Sequence, residues 1–473
     1  MTTIYTGSVL DELPEPDGGG KYHAVLCDPP YELGFMGKKW DSSGIAFDPK
    51  TWAGIKNALH PGAFGLAFAG SRGWHRMATA IEDAGFRIHP TIFCWVSGSG
   101  FPKGTRIDDQ IDKLQGAKQP VIGKMSQFFL PRSPGEIFTD GKGGPTRTMG
   151  GGWQNNPDLT EPVTPEARAF AGHRYGLQAL KPSVEPIIMF QKPYDGKPVM
   201  NMMMTGAGAL NIEGSRIGSD PIQTRGRGPE HTAGRTIGAN WSGDVPDAEH
   251  IGRVAANFVI THNPECTVDK CVCDASDIPD EKRKFFHQSH FHYEVFEGID
   301  DAARIKYIAK ANDKERDAGL DDLPIQLRRN ALTTHNGTGD YRGVDKKPLA
   351  QGKNPHPTVK PVALTKWLAT LLLPPDIYAP RRVLVPFSGV GSEMIGAQLA
   401  GWEDVVGVEL QEEYAAIAAK RLAWWEMIAQ QLGSSEVERI SRYAMKSEAE
   451  KGISPLNDLP LFANQYETPP NEE

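Results

Sequence analysis

Two short apolar runs, near opposite ends of the chain, each stop at a turn that can carry chemistry. Residues 23–27 (HAVLC) run into Asp28-Pro29-Pro30-Tyr31, and residues 381–387 (RRVLVPF) run into Ser388-Gly389-Val390-Gly391. An apolar run of this length, bounded by turn signals, reads as a strand buried on both faces. Such strands belong to open α/β sheets, which bind ligands at the carboxyl ends of their strands. Both turns therefore fall where a site is expected.

The stretch between residues 50 and 100 supports the same architecture. Residues 59–68 read as a turn and strand, 74–84 as a helix and 86–95 as a strand, an alternation that predicts a mostly parallel sheet. After the glycine turn, SEMIGAQLAGW reads as a helix, and 404–409 (DVVGVE) as a second strand. Its last residue, Glu409, lies about 20 residues past the glycines, the spacing at which an acid meets ribose hydroxyls in nucleotide-binding βαβ units. An Ala-rich helix is expected over 412–425, another helical run over 362–373 behind His356-Pro-Thr-Val-Lys-Pro361, and a buried strand at 186–191. With 473 residues the chain is long enough for two or more domains.

The tetrapeptide first and the glycine turn last is an order that resembles the beta-class S-adenosylmethionine-dependent DNA amino-methyltransferases, the adenine-N6 / cytosine-N4 family of phages and restriction-modification systems. The resemblance implies a circularly permuted, Rossmann-like α/β methyltransferase sheet with a large inserted target-recognition region. Residues 1–100 would be the catalytic half and 101–350 the target-recognition region, with a core strand near 186–191. Residues 351–432 would be the cofactor half, and 433–473 an acidic, partly disordered tail. The implied activity is transfer of a methyl group from S-adenosylmethionine to adenine N6 in duplex DNA, by base flipping and direct transfer.

An exocyclic base amine is a poor nucleophile because its lone pair is delocalised into the ring. A carboxylate and a carbonyl that accept its hydrogens localise that pair; Asp28 and the Pro29 carbonyl fit these roles, and Pro29 and Pro30 fix the backbone. Tyr31 offers an aromatic face to a base that has left the duplex. For the cofactor the resemblance points to Phe387, Ser388, Gly389, Gly391 and Ser392 in the glycine turn, with Glu409 and Leu410 at the ribose. His356, Thr358, Lys360 and Pro361 match the loop that closes over the methionine end. Ser8, Val9 and Leu10 belong to residues 4–10, which resemble the strand that precedes the catalytic motif in this family, and Asp28 is assigned to the cofactor site with them. One departure stands out. The family places an Asp two residues before the Phe of the glycine motif, where this chain has Val385, and Glu393 is the candidate replacement.

The net charge is −8, but residues 361–473 alone hold 9 Lys/Arg against 16 Asp/Glu, whereas 101–235 hold 17 basic against 13 acidic residues. Binding to DNA needs a local basic surface rather than a basic whole. Lys38, Lys39 and Trp40, beside the tetrapeptide, and Lys142, Arg147, Arg225 and Arg227, in glycine-rich stretches of the middle region, are the candidate DNA contacts. His262, Cys266, Cys271 and Cys273 form a metal-like cluster, a candidate structural zinc site whose spacing is not a standard CxxC pair. Neither a signal peptide nor a membrane-length apolar stretch is visible, so a cytoplasmic location is expected, the host cytoplasm for a phage product. Double-stranded DNA is the expected partner, with a homodimer and a cognate restriction endonuclease as further candidates. Cytosine-N4 methylation, RNA methylation and a catalytically silent DNA-binding protein stay open. Cytosine-C5 methylation is disfavoured, because the Pro-Cys pair of that family is missing.

Overall fold

The computed structural model describes residues 1–11, 13–16, 19–34, 39–96, 103–124, 158–180, 184–224, 248–255, 257–260, 306–307, 311, 313–327 and 351–443. Its centre is one nine-stranded sheet. In chain order the strands are β1 (Thr2–Thr6), β2 (Tyr22–Cys27), β3 (Leu59–Phe68), β4 (Arg87–Val96), β5 (Val184–Gln191), β6 (Phe258–Ile260), β7 (Lys306–Tyr307), β8 (Arg382–Val385) and β9 (Asp404–Glu409). Across the sheet they run β1-β9-β8-β2-β3-β5-β4-β6-β7. Every neighbouring pair is parallel except those made by β5, which is antiparallel to both β3 and β4. This is the Rossmann-like α/β sheet expected, with one reversed strand.

The two ends of the chain meet in the middle of this sheet. β8 pairs with β9 on one side and with β2 on the other, through Val383 opposite Ala24 and Leu384 opposite Val25. From β8 the chain moves toward one edge, and from β2 it moves toward the other. The boundary between them is a topological switch point, where the loops part and leave a crevice. The strand expected at 186–191 is β5, and it sits inside the sheet rather than beside it. β6 and β7, also from the middle region, extend the sheet beyond β4.

Two helical layers cover the sheet, and the strand pattern shows why. Alternate residues of a strand face opposite sides. In β2, Ala24 and Leu26 join a cluster with Val362, Leu368, Met394, Ile395 and Trp425. Val25 and Cys27 join the opposite cluster, with Trp52, Ile55, Met77 and Ile81. A strand buried on both faces must be apolar throughout, as residues 22–27 nearly are.

The helices of the first face are α4 (Val362–Leu372), α5 (Ser392–Ala400) and α6 (Glu412–Tyr443); those of the second are α1 (Pro49–Ala58) and α2 (Trp74–Asp83). A further short helix, α3 (Asp313–Asp317), lies against the first face near the loop before α4. α1 starts cleanly because Asp48 caps it, accepting from the Lys50 N–H, and Pro49 takes the first helical turn, where its missing N–H is harmless. α6 continues to Tyr443, well past the 425 expected.

Among the described residues four antiparallel pairs lie outside the sheet. They join Lys103–Arg106 to Arg174–Gln178, Val121–Lys124 to Asp158–Thr160, Ile217–Thr224 to Ala248–Arg253, and Gln326–Leu327 to Gln351–Gly352. Among the described residues no helix is long and apolar enough to cross a membrane.

Candidate active site

Asp28 follows the last residue of β2, and continuing the register of β2 against β8 brings it level with Phe387, at the mouth of the glycine turn. Its Oδ2 accepts a hydrogen bond from Lys360 Nζ at 2.6 Å, between side chains that are 13% and 5% exposed. The other oxygen, Oδ1, is buried without a partner among the described residues. A buried acceptor without a donor is expensive to maintain. Burial pushes the Asp28 carboxyl up, against the pull of Lys360. Lys360 is itself buried, which disfavours its charge, but Asp28 and Glu185 hold its ammonium above the ordinary range. The pair thus fixes one carboxylate oxygen, and the Tyr31 hydroxyl, which donates to Glu185, also lies close enough to the Asp28 carboxyl to favour its charged form.

Tyr31 borders the same space. Its hydroxyl donates to Glu185 Oε2 at 3.2 Å, and Lys360 Nζ lies 5.2 Å from the centre of its ring and 5.0 Å from that of Phe68. Lys360 is also 3.9 Å from Glu185 Oε2. Glu185, on β5, and Phe68, on β3, have no motif that marks them in the sequence. They join the site because the reversed strand is inserted next to β3. Burial raises the Tyr31 phenol, so it stays protonated and able to donate.

The glycine turn lies next door. Gly389 and Gly391 have φ of +51° and +82°, left-handed values that disfavour any side chain. A Cβ on Gly389 would lie 3.4 Å from His356 Nε2, and one on Gly391 would lie 3.1 Å from Ala418 Cβ. Phe387 packs partly buried against the core, and the Ser388 hydroxyl is buried without a partner among the described residues. Ser392 opens α5, and its hydroxyl takes a long hydrogen bond from Arg421 at 3.4 Å.

Glu409 closes β9 on the far side of β8. It accepts from the Gly389 N–H and the Gln411 N–H, both at 2.9 Å, so both of its oxygens are held by backbone. Leu410, which follows, is exposed, as is Leu10 past the end of neighbouring β1. The Gly7 N–H bonds the Glu409 carbonyl, the Leu10 N–H bonds Ser8 Oγ at 3.2 Å, and Val9 is buried. The expected first-strand residues therefore gather at the Glu409 end.

The loop 353–361 arches over the turn. His356 donates through Nδ1–H to the Thr358 carbonyl at 2.8 Å; its ring is stacked on Trp40 with centres 6.3 Å apart and lies edge-on to Tyr414 at 4.7 Å. Burial lowers its pKa to about 3, so the ring is neutral. Thr358 is exposed, Pro361 precedes the first turn of α4, and Lys360 points at Asp28.

The loop is anchored by α3. Glu315 Oε1 accepts from the Val362 N–H, capping α4 where no cap of its own exists. Asp317 accepts from the Lys353 and Asn354 N–H groups at 3.1 and 2.9 Å, and Arg316 Nη2 donates to the His356 carbonyl. Sequence reasoning misses all three residues. They lie in the middle region, far from any motif, and only their packing gives them a role.

Val385 is fully buried in β8, in the cluster with Leu368 and Met394. Glu393, in the first turn of α5, is buried with Oε1 unpartnered among the described residues. Burial and the nearby Asp28 charge push its pKa up to about 8.

Of the candidate DNA contacts, Trp40 packs on His356, and of Lys39 only the backbone is described. Lys38, Lys142, Arg147, Arg225 and Arg227 lie outside the described residues, as do His262, Cys266, Cys271 and Cys273 and the tail beyond 443. Among the described residues no three His, Cys, Asp or Glu side chains are grouped to hold a metal ion.

No protein-family model matches the chain, and no curated protein matches it. Solved structures resemble it over most of its length. M1.HpyAVI in complex with SAM is 12% identical with a TM-score of 0.32, covering 89% of this chain and all of that one. TTHA0409 of Thermus thermophilus, a candidate DNA modification methylase, is 14% identical with a TM-score of 0.31, covering 90% and 95% of the two chains. The cytosine-N4-specific PvuII DNA methyltransferase is 11% identical with a TM-score of 0.36, covering 94% and 92%. Likenesses at these identities and scores bear on neither substrate nor residue roles, which rest on the site itself.

Proposed function

We propose that the protein transfers a methyl group from S-adenosylmethionine to an exocyclic amine of a DNA base, adenine N6 in duplex DNA. The observation that carries this reading is Asp28 Oδ1, a buried acceptor without a partner among the described residues, at the switch point of the sheet and level with the glycine turn.

The residues fit the cofactor at several points. Gly389 and Gly391 carry no side chain into the turn, Glu409 would meet the ribose, and the exposed Leu10 and Leu410 would offer apolar cover for an adenine ring. His356, with Trp40 and Tyr414 packed around it, forms a neutral aromatic wall beside Gly389. When bound, S-adenosylmethionine supplies an electrophilic methyl on a sulfonium.

The chain's own residues then act on the amine. Asp28 Oδ1 and the Pro29 carbonyl each accept one N–H, which turns the nitrogen lone pair out of the ring. The amine that takes the methyl group would become a cation and would have to lose a proton. Asp28, whose affinity for a proton is raised by burial, can hold that proton before solvent takes it. Lys360 keeps Asp28 in place throughout. Tyr31, tied to Glu185, borders the position a flipped base would take. The choice of adenine over cytosine follows the family pattern at the first position of the tetrapeptide, which here is Asp.

Incubation with radiolabelled S-adenosylmethionine and either duplex DNA or structured RNA, followed by nucleoside chromatography, tests the reading. Label in N6-methyladenine of duplex DNA is expected. Label in N4-methylcytosine would change the base and keep the mechanism, label in RNA would replace the substrate, and no label in any nucleic acid would remove the enzyme.

A further inference from the structure

Glu393 raises a question that methyl transfer to a base does not need. Its carboxylate is 3% exposed, Oε1 has no partner among the described residues, and it sits in the turn of α5 that follows Gly391. Asp28 is its strongest acidic influence and Lys360 its strongest basic one. Lys360 is already bonded to Asp28 and lies 3.9 Å from Glu185.

Arg421, on α6, is the other cation in reach. It donates to the Val390 carbonyl, the Glu315 carbonyl and, at 3.4 Å, the Ser392 hydroxyl, not to Glu393. The Cys27 thiol, also within electrostatic range, is buried and held neutral by desolvation and by the acids around it. Two buried acids, Asp28 at the end of β2 and Glu393 in the turn after Gly391, each have an oxygen unpartnered among the described residues, and Lys360 bonds the first. A cation that arrives with a ligand favours the charged form of such an acid. At the corresponding face of β8 the family's acid is replaced by Val385, which packs in the core and leaves Glu393 as the carboxylate at the turn.

We infer that Glu393 is the counter-charge to the sulfonium of the cofactor, so that the site prefers S-adenosylmethionine to its neutral demethylated product. The inference rests on the cofactor reading above. Product release then follows from the reaction itself, because transfer of the methyl group removes the cation that Glu393 faces. Since Glu393 holds a proton readily in the free protein, binding of the cation expels it, while binding of the product does not.

Calorimetry on the full chain at pH 7, in two buffers of different ionisation enthalpy, measures both effects. S-adenosylmethionine should bind about tenfold tighter than S-adenosylhomocysteine, the ratio that one unit of differential pKa shift would give. It should release a proton that S-adenosylhomocysteine does not. An analogue with an amine in place of the methylated sulfonium should behave like the cofactor. Glu393→Gln should bring the two affinities together and abolish the proton release, whereas Asp28→Asn, which removes a charge that raises Glu393, should reduce the release and keep the preference for S-adenosylmethionine.

Equal affinities with equal proton uptake in the wild type would overturn the inference and leave the cofactor reading standing. Proton release that survives in Glu393→Gln but vanishes in Asp28→Asn would overturn it in favour of Asp28. If the wild type binds neither molecule, the cofactor reading fails and the inference with it. Should Glu393→Gln not fold, the wild-type comparison of the two ligands decides alone.

Discussion

Asp28 and Glu409 end strands that flank β8 on either side, yet they are held in opposite ways. Glu409 is fixed by two backbone N–H groups of its own half, from Gly389 and Gln411. Asp28 is held by side chains, chiefly that of Lys360, which stands 332 residues away in the sequence and belongs to the other half of the site. One acid is held within its own half, by the pairing of β8 and β9. The other is held from the loop 353–361, whose His356 also lies beside Gly389. The same loop thus reaches both the glycine turn and Asp28.

The sharpest way to break this comparison is at Asp28. Asp28→Ala should lower transfer by at least about 10³-fold, as loss of a key acceptor does, while cofactor affinity changes by less than about threefold. Filter binding and turnover on the same preparation would check it, and retained turnover would remove Asp28 from the chemistry. Gly389→Val attacks the other half. A branched side chain at φ +51°, 3.4 Å from His356, should cost about 100-fold or more in cofactor affinity; calorimetry with normal affinity would show that the cofactor sits elsewhere.

Lys360→Met joins the two halves. Leaving Asp28 buried without its partner should destabilise the fold by about 3–5 kcal/mol and slow transfer more than it weakens cofactor binding. Denaturant titration and a comparison of kcat with KM separate these effects. Glu409→Gln should be milder, because an amide oxygen still accepts from one of the two N–H groups; about a tenfold loss of cofactor affinity with unchanged stability is expected.

The smallest effect is on stability against pH. The folded protein raises Glu393 to about 8 and Glu315 to about 7, above the ordinary 4.5 of an unfolded glutamate. Between those values the unfolded chain binds fewer protons at these two groups, so their stabilisation is present at low pH and is lost as pH rises through the folded values. His23 and His356, lowered to about 4 and about 3, act in the opposite sense below the ordinary 6.5, so melting temperature should fall from about pH 7 to about pH 8 in the absence of ligand, and the fall should be shallower in Glu393→Gln.

The parts of this site that are legible in the sequence are those whose function is local. A buried strand followed at once by Asp-Pro-Pro-Tyr, or by a glycine turn and a helix, is specified within about a dozen residues, and both lie where expected. The apolar run of β5 announces a strand, but not its place. Nothing in residues 184–191 says that the strand runs backwards between β3 and β4, and that reversal is what brings Glu185 to Tyr31 and Lys360. The neighbours of Lys360 in the sequence mark it as a cofactor ligand; its bond to Asp28 is a property of the packed sheet. Glu315, Arg316 and Asp317 carry no motif, and only the open N-terminus of α4 and the loop before it define their task. α6 continues past 425 because its next turn still has core to cover, with Ile428 fully buried and Met427 and Ala429 packed against the same cluster.

The most direct test of the central claim is single-molecule sequencing of DNA from cells that express the protein, beside cells that express Asp28→Ala. Methylated adenine at one short motif, present with the wild type and absent with the variant, is the result expected. The same methylation in both, or unmodified DNA in both despite soluble protein that binds the cofactor, would contradict the assignment of Asp28 as the acid that prepares a base for methyl transfer.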